Sequence, residues 1–274
     1  MLGGDLEVRR LGFGAMRITG QGVWGDPSDP AGARQLLRRV VEAGVNLIDT
    51  ADSYGPEVSE NLIAEALHPY PEGLVIATKG GLTRPGPGLW ERNGRPERLR
   101  RCCEDSLRRL KLERIDVYQL HAVDPKVRIE DSIGALAELQ AEGKIRHAAV
   151  CNVDGEQLER ARGIIEIVSV QNRYNLTDRS SEVVLQTCER DGIGFMPWFP
   201  LATGSLARPG GALDEVARAH GATPAQVALA WLLGHSSVML PIPGTSSIAH
   251  FEENREAGQL ELDDNEAEAL AELA

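Results

Sequence analysis

Leu11-Gly12-Phe13-Gly14-Ala15-Met16 is the run on which the reading of the fold turns. It reads as a short strand entering a turn. A doubly wound dinucleotide-binding sheet carries GxGxxG at that place, its third glycine letting the next helix pack closely on the strand. No third glycine stands here, which argues against that fold.

Outward from this run, short apolar stretches alternate with longer amphipathic ones. Strands are expected at residues 11–14, 46–49, 74–78, 115–120, 145–150, 167–170, 193–197 and 238–241. Helices are expected near 31–43, 58–67, 97–110, 129–142, 155–162, 179–190 and 223–233, where apolar residues recur every three or four positions. Thr223-Pro224 is an N-cap followed by a first-turn proline, and Ala43-Gly44 and Glu142-Gly143 read as helix ends. Strands alternating with helices imply right-handed βαβ units and a parallel sheet. Eight such repeats in 274 residues match an α/β fold of the closed (β/α)8 TIM-barrel type better than an open sheet. With no linker or low-complexity segment, residues 1–274 read as a single domain.

Composition excludes several function classes. A formal net charge of −12, with a pI near 5.0 and no basic run, repels nucleic-acid phosphates and anionic lipid. Nothing approaches the ~18 consecutive apolar residues of a membrane span, and the first residues lack the basic and apolar regions of a signal peptide. A cytoplasmic protein is expected. Cys102, Cys103, Cys151 and Cys188 form neither a CxxC pair nor metal-ligand spacing with His, so free buried thiols and no metal are expected.

In a barrel of this kind, chemistry gathers at the C-terminal ends of the strands. Asp49 ends the second strand here, Lys79 the third and His121 the fourth. Asn152 follows the fifth, Gln171 the sixth, Trp198 the seventh and Pro243-Gly244 the eighth. Tyr54 comes five residues after Asp49, in a turn marked by Gly55-Pro56. Any one of these residues has an ordinary structural explanation. Their concentration at one rim does not, because burying titratable groups together is costly. A phenol of pKa about 10 is a poor acid at neutral pH. A nearby ammonium such as Lys79 is expected to lower that value, with Asp49 holding the ammonium in place. The amides of Asn152 and Gln171 can meet a carboxamide's donor and acceptor together.

Five runs together resemble the aldo-keto reductase superfamily: Leu11 to Met16, Asn46 to Gly55, Val75 to Gly80, Ile115 to His121 and Pro241 to Ser247. The resemblance spans essentially the whole chain. With the run Asn61 to Tyr70, it is most similar to the bacterial branch containing pyridoxal reductases and pyridoxine 4-dehydrogenases. It implies a catalytic tetrad of Asp49, Tyr54, Lys79 and His121, in which Tyr54 donates a proton while reduced nicotinamide delivers hydride to a carbonyl. It further implies that Trp198 stacks on the nicotinamide and that Pro200, Leu201 and Gly204 belong to the loop over the pyrophosphate. Gly244, Thr245, Ser246 and His250 would meet the phosphates, and Glu253 and Asn254 the adenine.

Many relatives carry Lys or Arg where Ser246 and Ser247 stand, and Arg where His250 stands. The clamp on the 2′-phosphate is therefore expected to be thin, without a guanidinium. The resemblance still implies NADPH before NADH. Trp24 and Trp90 are expected to wall a pocket for a small carbonyl compound, pyridoxal being the first to try. The alternative from another class is a nucleotide-binding regulatory protein of the same fold with little turnover. The chain's shortness and charged surface lean towards a monomer.

Overall fold

The computed structural model describes residues 1–202 and 213–272. In chain order its strands are β1 (Phe13–Gly14), β2 (Leu47–Asp49), β3 (Val75–Gly80), β4 (Leu82–Thr83), β5 (Glu91–Arg92), β6 (Ile115–Leu120), β7 (Ile145–Cys151), β8 (Ile167–Arg173) and β9 (Gly194–Trp198). Seven of them form one parallel sheet in the order β1-β2-β3-β6-β7-β8-β9, while β4 and β5, which follow β3 in the sequence, pair as an antiparallel hairpin.

The expected eighth strand exists as a bridging segment. Phe195 N donates to Val238 O at 2.9 Å and Leu240 N to Phe195 O at 2.8 Å, while Gly12 N donates to Pro241 O at 2.9 Å. Residues 238–241 thus join β9 to the approach to β1 and close the ring. Pro241 and Pro243 have no N–H to give, which keeps the segment from forming a regular ladder. The closure also explains the glycines of the opening run. A Cβ on Gly14 would lie 2.6 Å from Ile242 O, and one on Gly244 would lie 2.6 Å from Gly14 O. These glycines serve backbone-to-backbone approach, in place of the phosphate turn of an open sheet.

Helices cover the outside. They are α1 (Pro30–Glu42), α2 (Val58–Leu67), α3 (Pro96–Leu110), α4 (Ile129–Ala141), α5 (Gly155–Arg162), α6 (Glu182–Asp191), α7 (Asp214–Ala219), α8 (Pro224–His235), α9 (Ile248–Glu256) and α10 (Asp264–Ala271). Helix α1 starts where Asp29 accepts from Gly32 N at 2.8 Å, and it turns Ala33, Leu36, Leu37 and Val40 to the sheet. Thr223 and Gln226 form a capping box on α8. Helix α6 begins three residues later than expected, because Asp178 accepts from both the backbone and the hydroxyl of Ser180 and holds a turn there.

Inside the ring, Leu47, Val75, Ala77, Val117, Ala149, Val168, Met196, Leu240 and Ile242 pack with Leu2 and Leu6. Leu2 and Leu6 exchange backbone hydrogen bonds at 2.8 and 3.0 Å. Their turn plugs the N-terminal end of the barrel, where a Cβ on Gly194 would meet Leu2 at 2.5 Å. The opposite end stays open. No helix among the described residues is long and apolar enough to cross a membrane.

Candidate active site

Asp49, Lys79 and His121 arrive at the open end from the C-terminal ends of β2, β3 and β6, and Tyr54 comes from the loop after β2. Lys79 is fully buried. Its Nζ donates to Asp49 Oδ2 at 2.6 Å, to Thr50 O at 2.8 Å and to Tyr54 Oη at 3.4 Å. A buried ion pair offsets its desolvation cost only when its remaining hydrogen-bonding capacity is also used. Here Asp49 Oδ1 accepts from Gln119 Nε2 and from Gln171 Nε2, each at 2.8 Å. Burial by itself would lower Lys79, but Asp49, followed by Tyr54, holds it above the usual lysine range, so it stays an ammonium.

The expected lowering of the Tyr54 phenol is not what this environment produces. Burial pushes Tyr54 up to about 12, against the downward pull of Lys79. The sequence places an ammonium beside the phenol but does not encode how completely the barrel strips water from it. His121 is driven well below its usual value by burial first, then by Lys79 and Arg84, and is a neutral imidazole. Its Nδ1 lies 3.3 Å from Ser53 Oγ, and its ring meets that of Tyr54 edge-to-face at 5.8 Å.

A cavity of about 640 Å³ opens over this group. Asp49, Tyr54 and His121 line its floor, with Lys79 buried beneath. Asn152, Gln171, Trp198, Pro200 and Leu201 also line it, as do Gly244, Thr245, His250, Glu253 and Asn254. Ser246 is exposed and does not line the cavity, while Ser247 caps α9 by accepting from His250 N at 3.4 Å. Gly204 lies outside the described residues. Trp90 lines the cavity; Trp24 does not, and instead lies 5.6 Å from the Arg84 guanidinium.

The two amides expected to share a carboxamide are already engaged. Gln171 spends its donor on Asp49. Asn152 donates to His121 O at 2.9 Å and accepts from Trp198 Nε1 at 3.0 Å, from a left-handed backbone at φ 56° that Asn tolerates. Among the described residues, Gln171 Oε1 has no protein donor.

Several lining or supporting residues escaped the sequence reading. Gln119 was findable, because it alternates with Val117 and His121 on the inward face of β6. Its Oε1 accepts from Cys151 Sγ at 3.3 Å, and burial holds that thiol far above the usual range. Ser53 gave no signal beyond adjacency to Tyr54. Arg17 brings to the cavity a guanidinium that the expected site residues did not include. It lines the cavity beside Gly244, at the end of the opening run, and makes no ion pair among the described residues. The four cysteines are free and buried.

Residues 10–274 match the model of the aldo/keto reductase family. The chain is 43% identical over 265 residues to pyridoxine 4-dehydrogenase of Escherichia coli, covering 94% of this chain and 92% of that protein. It is 50% identical over 259 residues to an uncharacterized oxidoreductase of Schizosaccharomyces pombe, covering 94% and 84% respectively. An aldo/keto reductase from Klebsiella pneumoniae, solved in complex with NADP and acetate, superposes with a TM-score of 0.84 at 28% identity, over 99% of this chain and 93% of that one. With the family matched over nearly its whole length and the barrel shared, the chain belongs to the aldo/keto reductase family of oxidoreductases.

Proposed function

We propose that this chain reduces aldehyde and ketone carbonyls to alcohols with NADPH, and that pyridoxal is among its substrates. The observation that carries the reading is the contact of the Tyr54 phenol with the Lys79 ammonium, at the floor of a cavity that runs on to Glu253 and Asn254. The cavity suits a nicotinamide nucleotide. Trp198 offers a flat aromatic wall, and Arg17, beside Gly244, brings a guanidinium that makes no ion pair among the described residues and could meet a phosphate. When bound, reduced nicotinamide supplies the hydride.

The chain's own residues supply the rest. In the tautomer this reaction needs, the Ser53 hydroxyl, 3.3 Å away, donates to Nδ1 and neutral His121 carries its proton on Nε2, donating it as a hydrogen bond to the substrate's carbonyl oxygen. Tyr54 transfers its proton to that oxygen as the carbon gains hydride. The product is an alcohol, and the phenolate left behind is stabilised by Lys79 until water reprotonates it. A phenol raised to about 12 is fully protonated at neutral pH, as a proton donor must be, and an alkoxide is a stronger base than the phenolate.

Pyridoxal is supported by the identity with the Escherichia coli pyridoxine 4-dehydrogenase and by Trp90 at the cavity wall. NADPH over NADH is supported by the NADP-bound relative, with the Arg17 guanidinium and the His250 imidazole as candidates for phosphate. The single family match over residues 10–274 supports one working domain. The test is steady-state oxidation of NADPH, and separately NADH, with pyridoxal and a panel of aldehydes, run beside Tyr54→Phe. The expected outcome is turnover that prefers NADPH and falls by about 10³-fold or more in the variant, whose nucleotide affinity is kept. A fully active Tyr54→Phe would sink the assignment.

A further inference from the structure

Arg84 stands just after β4 and outside the residues that line the cavity, yet its bonds lead to the cavity's rim. Nε donates to Leu89 O at 2.9 Å. Nη1 donates to Val23 O at 2.9 Å and to Ser53 O at 3.0 Å, and Nη2 donates to Gly22 O at 3.1 Å. Three loops therefore meet on one side chain: the segment after β1, the loop that carries Tyr54, and the β4–β5 hairpin. The guanidinium carbon also lies 3.6 Å from the centroid of the Trp90 ring and 5.6 Å from that of Trp24.

What Arg84 holds is a wall of the reaction centre. The Trp90 ring stands edge-to-face to both Tyr54 and His121, each at 6.4 Å. Yet the hairpin that bears it has two strands of two residues each, and Leu89 and Trp90 at its tip are 58% and 40% exposed. A ladder that short does not hold a ring in place by itself. Four backbone carbonyls and a flat cation against the indole can, and only a planar fork with several donors offers both at once.

We propose that Arg84 is the positioning residue of the substrate pocket, holding Trp90 beside Tyr54 and His121 so that the protein selects flat aromatic carbonyl compounds over small aliphatic ones. The selectivity rests on the carbonyl-reductase reading above; the clamp itself does not. A lysine at this position keeps the charge and loses the fork, so Arg84→Lys separates positioning from electrostatics.

The test is a double-mutant cycle with Arg84→Lys, Trp90→Ala and their combination, read as the ratio of kcat/KM for benzaldehyde to that for propanal. Arg84→Lys is expected to lower this ratio about fivefold, the size of one net hydrogen bond lost from the fork, chiefly through KM for benzaldehyde. The double variant is expected to match Trp90→Ala alone, since Arg84 acts through that ring. A second readout needs no turnover: acrylamide quenching of tryptophan fluorescence should rise in Arg84→Lys, and the rise should vanish in the Trp90→Ala background.

An unchanged ratio, additive losses, or an equal loss on both aldehydes overturns the selectivity role. Absence of the quenching difference overturns the clamp. A wild type inactive on both aldehydes but showing the quenching difference would sink the reductase reading and leave the clamp standing.

Discussion

The floor and the mouth of the cavity are built on opposite plans. At the floor, Asp49, Lys79, Gln119 and Gln171 stand on sheet strands, none more than 4% exposed, and tie one another by hydrogen bonds of 2.6–2.8 Å. At the mouth, Trp90 and Leu89 ride on a hairpin whose strands are two residues each, and are part-exposed, held by a side chain from outside the cavity. The floor's groups are placed by the register of a parallel sheet, where moving one means moving the barrel. The mouth's groups are placed by loops whose geometry is set by a few tertiary bonds. Chemistry common to many carbonyl substrates suits the first plan, and choice among substrates suits the second.

If that division is right, changes at the floor should cost orders of magnitude or unfold the protein, and changes at the mouth should only shift preferences. Tyr54→Phe, described above, is the largest expected effect, on rate alone. Lys79→Met comes next and acts on stability as well. It leaves the Asp49 carboxylate buried without its cation, at a cost of about 3 kcal/mol or more and a fall in Tm of roughly 6–12 °C. Adding Asp49→Asn should recover part of that loss in calorimetry, because the orphaned charge is then gone. If the single variant melts with the wild type, the floor is not the rigid unit described here.

His121 adds a pH signature to the floor. Its folded pKa is depressed, so near neutrality it is uncharged both folded and unfolded. As pH falls below the ordinary histidine value of about 6.5, the unfolded chain binds a proton that the folded one refuses. The stability tied to a neutral His121 is therefore present above that pH and lost on acidification, at up to about 1.4 kcal/mol per pH unit. Urea unfolding at pH 7.5, 6.5 and 5.5 should show the decline, and His121→Asn should flatten it. Parallel pH slopes in the two proteins would remove His121 as the cause.

Elsewhere on the cavity wall, Arg17→Ala should weaken NADPH by about tenfold, the size of one charge-assisted hydrogen bond to phosphate, with kcat little changed. Titration with NADH sharpens this. An equal loss on both nucleotides assigns Arg17 to the pyrophosphate they share, and a loss confined to NADPH assigns it to the 2′-phosphate. No loss on either leaves the His250 imidazole as the remaining side-chain candidate for phosphate.

Much of the floor was legible because strands advertise themselves. Short apolar runs and a polar or aromatic residue at each strand end are local signals, and they suffice for the barrel and for Asp49, Lys79, His121, Asn152, Gln171 and Trp198, whereas Pro200, Leu201, His250, Glu253 and Asn254 follow only from the resemblance. Gln119 sat on the same face and was passed over, since an amide inside a strand carries no charge to mark it. The eighth strand was read at the right residues, but two prolines make it a bridge. The turn of Leu2 and Leu6 looked like an ordinary terminus, because nothing in a local reading says that the barrel's other end needs a plug.

What the sequence determined by itself was therefore the repeat of strand and helix, the residue types at each strand end, and the order of motifs that marks the family. Those depend on neighbours along the chain. Burial and distant partners decided the rest. The depth of the Tyr54 pocket raises its phenol where a neighbouring lysine alone would lower it. The Gln171 donor is claimed by Asp49, 122 residues away. Trp90 reaches the cavity and Trp24 does not, and Arg84, beside both rings, binds carbonyls up to 62 residues away. Desolvation and hydrogen bonds between distant segments arise only once the ring has closed, and no local pattern records them.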